Sequence, residues 1–93
     1  MDIKKTLEER GEKYGEFVNH AAISQRLKLV ISMNLRDKGK ALDQDQKEAL
    51  EMICHKIARI INGDPDYIDN WVDIAGYATL VADRLEKYKL DLA

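Results

Sequence analysis

Two acids and two bases in the C-terminal half of the chain have spacing that could do chemistry. Asp69 and Asp73 stand four apart in "DNWVDIAGYATL" (69–80), and Lys56 and Arg59 three apart in "KIARI" (56–60). Side chains three or four residues apart share one face of a helix. Carboxylates so placed can hold a divalent cation. Mg²⁺ takes oxygen ligands, keeps several waters, and commonly relies on about one or two carboxylates plus substrate phosphates. Lys56 and Arg59 beside it would neutralise phosphate charge. The same four residues also suit a plainer use, as Lys56–Asp73 and Arg59–Asp69 ion pairs between two helices, each worth about 0–1 kcal/mol when exposed. Glu48 and Glu51 form a second acidic pair at i, i+3, a further pair of metal-ligand candidates. Their face points away from the apolar stripe of their own segment, which suits solvent and a Glu51–His55 contact.

Other chemistries find less support. His20 and His55 each lack a second histidine at ligand spacing. The single cysteine, Cys54, excludes an internal disulfide and a cysteine-rich zinc site, and reads as a small half-buried filler. Ser24, Ser32 and Thr79 have no visible base partner, and neither a nucleophile elbow nor a glycine-rich phosphate loop is present.

The elements that must position these residues are helical. Ile3 to about Lys13 is a short helix capped by Asp2, and "YGEF" marks a turn. About 19–37 is a second helix, with Ile23, Leu27, Val30, Ile31 and Leu35 at helical spacing and Leu29 and Met33 adding a second apolar side. About 45–62 is a third, capped by Asp43 or Asp45, with Gly63 as a left-handed C-cap. After Pro65, with Asp66 as cap, about 67–89 is the last. Its apolar face is Trp71, Ile74, Ala75, Ala78, Val81, Ala82 and Leu85. Short loops make neighbouring helices antiparallel. The expectation is a single all-α domain over 1–93, a bundle of three to four helices with short loops, completed by oligomerisation. Gly76 interrupts the last helix at a cost of about 1 kcal/mol relative to alanine. Small neighbours surround it, so it reads as a position of close backbone approach, within the chain or across a symmetric interface, with Trp71 and Tyr77 as packing residues beside it.

Composition narrows the class. The chain has 93 residues, 34% charged and 45% hydrophobic, with net charge −2. That is too apolar for disorder, and its interspersed charges leave no footprint for nucleic acid or an anionic membrane. No run is long enough to span a bilayer and no signal peptide is visible, so a cytoplasmic setting is expected. A chain this small buries only about 60–65% of its unfolded surface, which favours a homo-oligomer, a dimer first.

"YGEF", "KIARI" and "DNWVDIAGYATL" together resemble a family of small phage and prophage proteins of unknown function, with the pattern YGxF, KIxR and DxWxDIAGYA, over about Arg10 to Leu85. The resemblance implies a phage or prophage origin and no particular activity. More distantly, Glu48–Glu51 and Asn70–Asp73 resemble the ExxE and ExxD motifs of MazG-type all-α nucleoside triphosphate pyrophosphohydrolases, in which four acids bind Mg²⁺. Asn70 stands where that family has glutamate and offers only a neutral oxygen. The resemblance implies hydrolysis of a nucleoside triphosphate to monophosphate and pyrophosphate, with Lys56 or Arg59 steadying phosphates, or an inactive nucleotide-binding relative. The other reading is a non-catalytic helical dimer that engages a host or phage protein.

Overall fold

The computed structural model describes residues 2–92 and is built of four helices: α1 (Ile3–Tyr14), α2 (Phe17–Asp37), α3 (Gln44–Asn62) and α4 (Ile68–Leu92). No strand occurs among the described residues, so the fold is all-α. Local chemistry sets the helix ends. The Asp2 carboxylate accepts from the Lys5 backbone N–H at 3.2 Å, satisfying a donor that the first turn leaves free. Gln46 reaches back to accept from the Asp43 N–H at 2.9 Å, half of a capping box on α3. Gly15, at φ +77°, makes the sharp corner between α1 and α2.

Gly63 departs from expectation. Its φ is −124°, so it is not a left-handed cap. It is needed because a Cβ there would run into the Lys13 carbonyl oxygen, just as one on Gly15 would run into that of Asn62. The two glycines let the ends of α1 and α3 touch. Three hydrogen bonds then close the joint: Asp64 N–H to Lys13 O at 2.8 Å, and Asn62 Nδ2 to the Tyr14 and Glu16 carbonyls at 3.0 and 2.9 Å. Asp66 does not act as expected either. Its own N–H donates to Asp64 Oδ1 at 2.9 Å, and Asp64 organises the turn into α4.

α3 is the middle of a layer. α2 packs on one flank and α4 on the other, and the backbones of the two flanking helices do not approach each other among the described residues. Among the described residues the buried apolar side chains are small and all on α3: Ala49, Cys54 and Ala58. The rest of the buried set is polar: His20, Ser24, Lys56 and Asn70. α4 in particular turns Asn70, Asp73, Ile74, Tyr77, Val81 and Arg84 toward α3, while Trp71, Ala75, Ala78 and Ala82 stay exposed. Half of its apolar face thus looks away from the chain's own core. At about 100° per residue, with α2 and α4 both antiparallel to α3, Val30, Leu50, Ile61, Trp71 and Ala78 fall on one side of the layer. All five are exposed. The molecule is long, 53 × 29 × 25 Å, and among the described residues no helix is long and apolar enough to cross a membrane.

Candidate site at the seam of α3 and α4

The antiparallel hairpin brings Lys56 to Asp73. The Lys56 Nζ lies 3.0 Å from Asp73 Oδ2, with the lysine side chain 10% exposed and the aspartate 45%. One partner is therefore desolvated while the other still meets water. Asn70, one turn before Asp73 on the same face, is the most buried large side chain at 1% exposure, and its Nδ2 finds no acceptor.

Arg59 and Asp69 do not pair. The Arg59 guanidinium stacks 4.0 Å above the Tyr14 ring of α1, a cation–π contact that its planar head favours. Asp69 accepts from the Tyr67 hydroxyl at 2.8 Å. That bond pushes the Tyr67 phenol up to about 12, because ionising it would remove the donor beside a carboxylate. Each expected partner is taken by a tyrosine at the α1–α4 corner.

The remaining acids are not gathered. Glu48 is exposed. Glu51 is half-buried and lines a gap between α2 and α3 with Lys28 and Lys47, rather than facing open solvent. His55 bonds to His20 instead of meeting Glu51. Among the described residues no three His, Cys, Asp or Glu side chains come together to hold a metal. Within one chain the seam does not fit Mg²⁺: an ammonium stands against Asp73, where a cation would need an oxygen ligand.

Trp71 donates its indole N–H to the Pro65 carbonyl at 2.9 Å, closing the turn, yet remains 54% exposed. A Cβ on Gly76 would meet nothing within 4 Å, so among the described residues no other segment's backbone approaches it. Tyr77 is half-buried on the α3-facing row.

Two further clusters carry polar function that residue spacing did not reveal. His20 Nε2 and His55 Nδ1 are 3.2 Å apart, with Phe17 stacked on His20. Burial first, then the Arg59 charge, pushes both imidazoles down, His55 to about 4. The pair is neutral at pH 7, one ring donating to the other. The available signal was register: His20 lies three, seven and eleven residues before Ile23, Leu27 and Ile31. Nothing in spacing could link it to His55 across 35 positions. The second cluster is Arg84, which holds Asp43 and Asp45 at 2.9 Å each and ties α4 to the start of α3. These hydrogen bonds raise the arginine and lower Asp45.

A family model described as a domain of unknown function (DUF6378) matches residues 3–85. The chain belongs to that family. No curated protein and no solved structure matches it. The DUF6378 span takes in α1, α2, α3 and most of α4, and so contains the Lys56–Asp73 pair, Asn70, both histidines and Arg84. A family of unknown function is what the "YGEF…KIARI…DNWVDIAGYATL" resemblance implied; the match itself assigns no activity.

Proposed function

We propose that the protein is a non-catalytic helical dimer that works by binding another protein, a phage or prophage accessory factor in the host cytoplasm. The observation that carries the dimer is surface. The chain exposes 7227 Å², whereas a compact monomer of its mass would expose roughly 5,500 Å² by size scaling. The radius of gyration is 16.1 Å, against roughly 12 Å for a compact chain of this length. The excess, roughly 1,700 Å² per chain, exceeds the ~800 Å² that each partner gives to an ordinary interface. The open side of the layer supplies the apolar groups for it, from Val30 on α2 through Leu50 and Ile61 on α3 to Trp71 on α4. The test is sedimentation equilibrium at micromolar concentration. The unaltered chain should run at twice 10.7 kDa, and Val30→Glu or Leu50→Glu should run as monomer with helicity kept. A monomeric mass for the unaltered chain would sink this reading.

A nucleotide-binding relative of the MazG type is the second reading. Asn70 and Asp73 support it, since both face α3 at the i, i+3 spacing of that motif. Against hydrolysis stands Lys56, which occupies the Asp73 carboxylate. Incubation with a panel of dNTPs and Mg²⁺, assayed for pyrophosphate and for a metal-dependent thermal shift, with Asp73→Ala as control, decides it. Neither turnover nor shift would remove this reading.

A further inference from the structure

Between the α1–α2 corner and α3 lies a cavity of about 550 Å³, on the far side of Arg59 from the seam. That volume is in the range of small-molecule sites, ~300–1,000 Å³. Its walls are mostly apolar and its polar groups are few. Phe17 supplies an aromatic face: it is 77% exposed, so the side of its ring away from His20 stands open, while the Tyr14 ring in the same wall is covered by Arg59. Arg10 and Arg59 bring two positive charges against one negative charge from Glu16.

The histidine pair adds a second, independent feature. His20 is 95% buried with its Nδ1 lacking a partner, while His55 lines the same cavity and its Nε2 is the pair's other free end. The shared hydrogen bond makes one ring the donor. If His20 Nε2–H donates, His55 Nε2 carries a proton and can donate onward to an anion. A ligand that accepts there fixes the tautomer of both rings.

We propose that this cavity binds a small organic anion built on a planar ring. The ring lies against Phe17, and the acidic group takes hydrogen bonds from Arg59, Arg10 and His55. A carboxylate and a phosphate share this chemistry, and two probes with one ring separate them: benzoate and phenyl phosphate. Benzyl alcohol supplies the ring without the charge and inorganic phosphate the charge without the ring.

The measurement is a titration followed by the imidazole proton signals of His20 and His55 at pH 7. At least one of the two ring anions should shift both signals saturably, with benzyl alcohol and inorganic phosphate at least tenfold weaker. Arg59→Met should weaken binding at least tenfold. Arg10→Met, at an exposed position that the fold does not need, should weaken it severalfold, and it carries the test if Arg59→Met fails to melt cooperatively. No saturable shift with either anion overturns the proposal. So does equal binding of benzyl alcohol, or affinity unchanged in Arg10→Met.

Discussion

Removing Asp73 should harm the protein far more than removing Lys56, although the two make one ion pair. The asymmetry follows from exposure. Lys56 keeps 10% of its side-chain surface in water and Asp73 keeps 45%. In Asp73→Ala the ammonium is left desolvated and without its counter-charge. Stranding one member of a fully buried pair costs about 3–5 kcal/mol. A half-exposed partner and about 0.5 kcal/mol of helix propensity gained by alanine reduce that to about 2–3 kcal/mol. In Lys56→Met the apolar stem is kept and the carboxylate left behind hydrates, so the change stays within about 1 kcal/mol, as for exposed pairs. At about 4–8 °C per kcal/mol for a domain of this size, Asp73→Ala should lower Tm by about 8–24 °C and Lys56→Met by less than about 8 °C. The double variant should recover most of the loss, because no charge is then stranded. Thermal and urea melts at one fixed protein concentration measure all three, since the Tm of a chain that self-associates depends on concentration. Equal losses from the two single variants, or a double variant as unstable as Asp73→Ala, would refute the reasoning.

The histidine pair predicts an acid-side loss of stability. His55 is depressed to about 4 in the folded chain against 6.5 for the free group, so the unfolded state takes up its proton first. Stability is full above about pH 6.5 and falls as pH drops toward 4; urea melts at pH 7 and pH 5 should show this, and His55→Leu should flatten the dependence. Gly63→Ala should cost about 1–3 kcal/mol, because its Cβ meets backbone rather than a movable side chain. Gly76→Ala should instead raise stability by about 1 kcal/mol, having free space and a better helix former; a melting temperature lowered by Gly76→Ala at monomeric concentration would show that a backbone does lie against it.

Helix type was legible because each segment repeats its apolar residues at helical spacing and is fenced by Gly, Pro or a capping Asp. The antiparallel meeting of Lys56 with Asp73 was legible too, since "INGDPDY" is too short for anything but a hairpin. Which face of α4 turns inward was not. Ranking residues by hydrophobicity points Trp71, Ala75, Ala78 and Ala82 at the core, whereas the structure points Asn70, Asp73 and Tyr77 there. Pairings at long separation were equally hidden. Arg59 finds Tyr14, His20 finds His55, and Arg84 finds Asp43 and Asp45, none of which leaves a local pattern.

The roll of α4 has a physical cause in those pairings. Asp73 and Arg84 are eleven residues apart, about 1100° of turn, which returns within about 20° of the same line along the helix. Both anchor to α3, one at Lys56 and one through the carboxylates at its start. Turning α4 by one residue to bury Trp71 and Ala78 would break both anchors at once and leave Lys56 desolvated and alone. Apolar contacts are non-directional and would permit that rotation; the charged contacts do not. Polar pairs of this kind add little net stability but can fix register. Here they hold α4 with its small, apolar face outward, where α3 cannot reach it. The apolar area that the hairpin forgoes is then the area open to a second chain, so the polar seam and the exposed layer are two consequences of one choice of helix rotation.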